Sequence, residues 1–309
     1  MPVALNARGE VLGLDEAHRA ARWRSDAGVE ELPIPAGYDR SEPVALNDAG
    51  VAVAIAVRGA GGDEQRQAYV VSEGRPVALG GIAARPFRID SDGRIAGEAV
   101  LTANSRSQPV FWRLITLPPK GTGAKAHRAL VRESELVPQP LGSCCGGTAK
   151  MLDGEGGAAG DIYDPAGRYH AVRWQSGHAA EPLQSGDGYS SALAMNGHGT
   201  VVFVAFPRVW LSGSHGVELL SLAPHRPSHP HALNNCELMV GDFGPYADAA
   251  RAFVWNRRQG FIDLNNHIDL PAGWTLKSAV DVNDRGEIIG RAELPGQIER
   301  GFLIEPFAR

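Results

Sequence analysis

Residues 273–290 read GWTLKSAVDVNDRGEIIG, and RGFLIEP follows at 300–306. An apolar run ends at Asn283, two residues intervene, Gly286 follows, and a second apolar run closes on Gly290. Asn hydrogen-bonds its own following backbone and Gly accepts positive φ, so Asn–x–x–Gly predicts a tight turn between two antiparallel strands. The same block recurs as VALNARGEVLG from Val3, VALNDAGVAVA from Val44, FRIDSDGRIAG from Phe87, KMLDGEGGAAG from Lys150, LAMNGHGTVVF from Leu193 and HALNNCELMVG from His231. Its anchors are Asn6, Asn47, Asp90, Asp153, Asn196, Asn234 and Asn283, at spacings of 41, 43, 63, 43, 38 and 49 residues.

A second block follows each anchor. It ends at Trp23, Val71, Trp112, Trp174, Trp210, Trp255 and Ile304, which places five of the six tryptophans on one template position. This block reads as a third strand. Segments such as VEEL near Val29 and FIDL near Phe261 read as a fourth. Four antiparallel strands in about 43 residues is the size of a β-propeller blade, and such a unit buries its two faces only against neighbours. The expectation is an all-β, seven-bladed β-propeller of four-stranded antiparallel blades, forming one domain over residues 1–309. The last blade ends just after its third strand, so its fourth strand is missing or supplied by another segment. Residues 113–148 read as an insertion loop between blades 3 and 4.

Composition agrees. Glycine is 38 of 309 residues, about 12% against a usual level of about 7%. The glycines show no every-third-residue period, which excludes collagen. Apolar runs stay near seven residues, far short of the roughly 20 that span a bilayer as a helix, so no membrane insertion is expected. A net charge of −5 and the lack of a basic run give no reason to expect nucleic acid. Three cysteines cannot make a disulfide framework. With Met1 as the native start the protein is cytoplasmic; removal of an upstream signal would make it extracellular or periplasmic.

The blocks RAFVW (251–255), FIDLN (261–265), 273–290 and RGFLIEP (300–306) resemble the HAF repeat family of bacterial proteins. The family pattern is similar to I-N-x-x-G-x-x-x-G, then H-A-F-x-W, then D-L. The resemblance covers nearly the whole chain. It implies a propeller-like fold, mostly exported members and no assigned chemistry.

Departures from the template are the site candidates, because sequence rules tend to break at functional positions. Two residues before the anchor, Arg88 and Asp281 replace small residues; three before it, Lys150 and His231 replace apolar ones. One residue past the second strand's Gly position stand Glu98, Asp161, Asp242 and Arg291. All are expected near one rim of the central channel, opposite the Asn–x–x–Gly turns. Cys144 and Cys145 read either as a thiolate or soft-metal site or as small residues packing a tight loop. His225, His229 and His231 include a His-x-His on one strand face, with Asp242 as a further metal ligand; no metal or other cofactor is otherwise expected. At Glu237, in place of the turn glycine, a changed turn type is the favoured expectation over strain.

Two functions follow from this reading. In the first, the propeller is a scaffold that binds a small molecule or a protein partner at one rim, with Arg88, Glu98, Cys144, Cys145, Asp242 and Arg291 as ligand-binding residues. In the second, that rim holds a small-molecule active site with acid/base or metal-assisted chemistry, such as a lyase or hydrolase. The catalytic candidates are then Lys150, Asp161, His231 and Asp281.

Overall fold

The structure, a computed structural model, describes residues 1–306 other than 104, 115–138, 141–145, 176–177, 185–187, 224–225 and 247–248. It is a seven-bladed β-propeller. Six sheets have four antiparallel strands and the seventh has three, each meandering outward in chain order. The innermost strands, blades 1 to 7, are Pro2–Leu5, Arg40–Leu46, Ile82–Ile89, Gly147–Leu152, Ser190–Met195, Ser228–Leu233 and Thr275–Val282. Among the described residues there is no α-helix, and so no helix long and apolar enough to cross a membrane.

The apolar strand faces pack blade against blade. Clusters such as Leu12 with Tyr69, Val53 with Ile95 and Trp112, and Val240 with Ile288 fill the interfaces from 1–2 through 6–7. Trp112 and Trp174 are buried in this way, and truncating such a ring costs about 3–5 kcal/mol.

Two pieces of local chemistry repeat in every blade, and a third, a second-strand glycine, in all but blades 2 and 5, which have Ala54 and Phe203 there. The anchor Oδ1 accepts backbone N–H groups from its own turn, as Asn234 does from Cys236 (3.0 Å) and Leu238 (2.8 Å). The innermost strand carries a β-bulge three residues before the anchor, at Val3, Val44, Phe87, Lys150, Leu193, His231 and Val280. Beside that bulge the second strand has glycine for close approach. A Cβ at Gly160 would lie 2.0 Å from the Thr148 carbonyl, and one at Gly290 2.1 Å from that of Ser278.

The anchor amides also form a belt around the ring. Each Nδ2 donates to the anchor carbonyl of the next blade: Asn6 to Asn47 (3.0 Å), Asn47 to Asp90 (3.0 Å), Asn196 to Asn234 (3.2 Å) and Asn234 to Asn283 (2.8 Å). Asn283 closes the circle on Asn6 (3.0 Å). A carboxylate cannot donate. At Asp90 the Arg94 guanidinium stands in, bonding Asp90 through Nε (2.8 Å) and the Asp153 carbonyl through Nη2 (2.9 Å). Burial raises the Asp90 carboxyl above its ordinary range against the opposing pull of Arg94. At Asp153 the fourth residue on is Gly157, and no described side-chain donor reaches the Asn196 carbonyl of blade 5.

Several expectations change in detail. Glu237 keeps the ordinary turn at φ +57, with its N–H on the Asn234 carbonyl (3.1 Å); the turn type is not altered. Trp210 is two residues off the tryptophan position, since its blade pairs Val201 with Ser212 where blade 6 pairs Met239 with Trp255. Trp210 instead pairs with Phe203, and the even-numbered offset keeps it on the same face. Within 113–148, Gln139–Pro140 pair with Val110 and Phe111 as the fourth strand of blade 3, and Gly147–Thr148 open the inner strand of blade 4. Blade 7 ends at three strands: its third, Ile298–Ile304, pairs with Ile288–Leu294, and no described residue pairs with its other edge.

Candidate functional site

The charged departures resolve into separate stations around the ring. Arg88 and Asp281 meet near the channel axis, Nη2 to Oδ1 at 3.6 Å, across from blade 3 to blade 7. The Asp281 carboxylate is buried and also accepts from Leu5 N (2.9 Å) and Val282 N (3.0 Å). Arg88 lines a cavity of about 230 Å³ on the Asn-turn side of the channel, to which all seven blades contribute.

The other candidates lie at the opposite half of the inner strands, where three blades repeat one motif. A carboxylate on the second strand accepts a hydroxyl from the next blade's inner strand, five residues before its anchor. Thr148 Oγ1 donates to Glu98 (3.1 Å), Ser191 Oγ to Asp161 (2.9 Å) and Ser278 Oγ to Asp242 (3.1 Å). Each carboxylate also holds a basic group of its own blade. Arg85 pairs with Glu98 at 3.0 Å. Lys150 pairs with Asp161 and donates to Ser191 Oγ (2.9 Å). His229 Nδ1 and His231 Nε2 lie 2.9 and 2.6 Å from the two oxygens of Asp242. Burial works to raise the Asp242 carboxyl, but the hydrogen bonds from His231 and His229 outweigh it and hold it below the ordinary range.

Sequence reasoning missed the hydroxyls. The signal was present: Thr148, Ser191 and Ser278 each stand five residues before an anchor, in the blade after an acidic second-strand position. Arg291 holds the same register position in blade 7, opposite Ser278, and among the described residues has no ion-pair partner. Cys144, Cys145 and His225 lie outside the described residues. Among the described residues no group of three or more His, Cys, Asp or Glu could hold a metal.

Chemically, the carboxylate sits between hydroxyl and base at Glu98 and Asp242, whereas at Asp161 the Lys150 amine touches both the carboxylate and Ser191 Oγ (2.9 Å). A nucleophilic arrangement needs the imidazole or amine between hydroxyl and acid, so that the hydroxyl loses its proton to the base. Here Ser278 and Ser191 direct their O–H at a carboxylate, and Asp242 stands between Ser278 and the imidazoles.

Blade 5 breaks the polar sequence. Its bulge residue is Leu193 and its second-strand position Val204, and both line a cleft of about 860 Å³ between blades 5 and 6. Phe206 and Leu222 add apolar walls, while Arg208, Arg226, His229 and His231 stand around it. A second cavity of about 350 Å³, lined by Tyr189, Phe206, Arg208 and Trp210, adjoins it. Five aromatic side chains are exposed on this rim: Tyr163, Tyr169, Tyr189, Phe206 (77%) and Tyr246 (76%). Tyr163 and Tyr169 pair at the strand ends that flank the second-to-third connection of blade 4, and Tyr189, Phe206 and Tyr246 stand on connections of blades 4 to 6. Tyr169 and Tyr189 pack edge to face at 5.2 Å.

No protein-family model matches this chain, and no curated protein matches its sequence. Solved structures do match its fold. The β-propeller domain of the Trilobed protease from Pyrococcus furiosus, described as having an open velcro topology, superposes with a TM-score of 0.63 at 8% identity, over 98% of this chain and 94% of that one. A puromycin hydrolase superposes with a TM-score of 0.59 at 14% identity, over 98% of this chain and 52% of its own. A Mycobacterium tuberculosis puromycin-hydrolyzing peptidase gives 0.53 at 14%, over 96% and 50%. This chain thus spans about half the length of the two hydrolytic enzymes, and at these identities the likeness is one of β-propeller fold.

Proposed function

We propose that the protein is a ligand-binding propeller whose binding face is the rim of blades 4 to 6, with the cleft between blades 5 and 6 as its centre. One observation carries the reading: the large aromatic side chains exposed among the described residues stand on this rim, where Tyr189 and Phe206 line the cavity of about 350 Å³ and Phe206 also lines the cleft of about 860 Å³. Monomeric proteins rarely leave clustered apolar surface uncovered without a use for it, and concave, mostly apolar sites with a few polar groups are the usual form of ligand pockets. Connections on a rigid scaffold are the usual carriers of such sites.

Phe206, Leu193 and Leu222 take the apolar part of the ligand, and Arg208, Arg226 and His229 its polar part. The polar stations at Asp161 and Asp242 lock the blades that flank the cleft. The resemblance to the HAF repeat family fits a scaffold without shared chemistry. The puromycin hydrolases bring an enzymatic reading, but their chains are about twice as long, and at Asp242 the carboxylate stands between Ser278 and the imidazoles.

The test uses the dye 8-anilinonaphthalene-1-sulfonate, an apolar anion. The folded protein should bind it saturably, and Phe206→Ser and Arg226→Ala should each weaken that binding several-fold without changing the circular dichroism. Equal binding by both variants and the parent would overturn the reading.

A further inference from the structure

The outer edge of blade 7 is built like the inner partner of a fourth strand. In blades 1, 5 and 6 the residue four before the tryptophan position of the third strand is an arginine, and in blades 1 and 6 it pairs with an acid on the fourth strand. Arg19 reaches Glu31 (2.6 Å) and Arg251 reaches Asp263 (2.8 Å). The equivalent in blade 7 is Arg300. It is exposed, its one described hydrogen bond goes to the neighbouring Glu299 carbonyl (3.0 Å), and among the described residues it has no carboxylate partner.

Two further observations agree. Phe302, Leu303 and Ile304 are only half-buried, whereas their blade 6 counterparts Phe253, Val254 and Trp255 are buried. A cavity of about 670 Å³ runs along the seam between blades 7 and 1, lined by Glu299–Gly301 on one side and by Trp23 and Val29 on the other. Elsewhere a leucine just after the fourth strand fills such a seam. Leu32, Leu79, Leu183 and Leu220 are buried, and each N–H bonds a third-strand carbonyl at 2.8–3.0 Å.

We propose that the edge Ile298–Ile304 binds an extended segment of another polypeptide as a fourth strand, and that the segment carries apolar–x–acidic–Leu, the pattern of Phe261–Leu264. An uncovered strand edge offers a row of backbone donors and acceptors, and strand addition to such an edge is a common mode of peptide recognition. Following the blade 6 register, the acid lies opposite Phe302 and pairs with Arg300, the leucine N–H reaches the Gly301 carbonyl, and its side chain enters the cavity beside Trp23.

The probe is a fluorescein-labelled peptide GFIDLNN, the sequence of residues 260–266, titrated into the whole protein and read by anisotropy. Saturable binding is expected. Arg300→Glu should weaken it by about tenfold, as loss of a charge-assisted pair with an added repulsion does, and should reverse the preference in favour of GFIKLNN. Unchanged circular dichroism checks that the surface variant folds. No saturation below about 1 mM, or equal binding by the Arg300→Glu variant and by a scrambled peptide, overturns the proposal. A dimer in light scattering that GFIDLNN does not dissociate also overturns it, because a second copy of the chain would then occupy the edge.

Discussion

The belt of anchor amides can be tested one link at a time, and Asn234→Asp is the cleanest perturbation. Asp already serves at two anchors. Asp90 accepts Arg94 N (2.8 Å) and Asp153 accepts Gly157 N (2.6 Å) through Oδ1, so the exchange preserves the turn. What it removes is the single donation from Nδ2 to the Asn283 carbonyl (2.8 Å), at a site where Asn234 is 5% exposed. Leu238 stands four residues on, so no guanidinium substitutes as Arg94 does. The lost hydrogen bond costs about 1 kcal/mol, and holding a carboxylate against a carbonyl in a buried site costs about as much again. At about 2.1 cal/mol/K of unfolding entropy per residue, a loss of about 2 kcal/mol lowers the Tm of a 309-residue chain by about 3 °C. Urea titration at pH 7 followed by tryptophan fluorescence measures it. Below about pH 4 the deficit should narrow, because a protonated carboxyl has an O–H to donate. A difference below about 0.5 kcal/mol at pH 7, or one indifferent to acid, would refute the belt as a source of stability.

Other sites give further checks. Asp153→Asn supplies the donor that the blade 4–5 junction lacks; Oδ2 already faces the blade 5 turn, 3.7 Å from where a Gly199 Cβ would lie. It should raise stability by about 1 kcal/mol, and a fall would count against the same reasoning. Glu237→Gly relieves a left-handed backbone and should stabilise by roughly 0.5 kcal/mol even after loss of the Arg257 contact at 3.0 Å. Destabilisation in thermal melts would mean that the ion pair outweighs the strain. On the acid side, the backbone N–H of Arg168, with His170, holds the Asp164 carboxyl at about 2, and Asp242 also lies below its ordinary range. Depressed folded-state values mean stability present above about pH 4 and lost as pH falls toward 2. Asp164→Asn and Asp242→Asn should flatten that acid limb; a limb of unchanged slope refutes the assignment.

The Asn–x–x–Gly block made the architecture legible because its chemistry is short-range. Asn234 Oδ1 bonds N–H groups two and four residues away, so the turn and both flanking strands are written within one block. Seven such blocks imply seven blades, and the described residues form seven sheets, the last of three strands. Trp210 shows the limit of the same reasoning: strand pairing puts Ser212, two residues on, at the template position, and aligned text does not register that slip.

Charge exceptions were legible as exceptions, and their partners were not. From the sequence alone Arg88, Lys150, Asp161, Asp242 and Asp281 were a single set at one rim. The folded ring sorts them by blade interface, so that Lys150–Asp161 leans on Ser191 and His231–Asp242 on Ser278, while Arg88 crosses the channel to Asp281. The aromatic rim was likewise invisible, because exposure depends on which neighbour covers a ring. By itself, then, the sequence determined the strand order, the turns and the number of blades, all set by contacts within a few residues. The tertiary structure decided what each blade presents to the next. Contacts such as Asn283 to the Asn6 carbonyl join residues 277 apart in the chain, and only the closed ring of rigid blades places those groups within bonding distance.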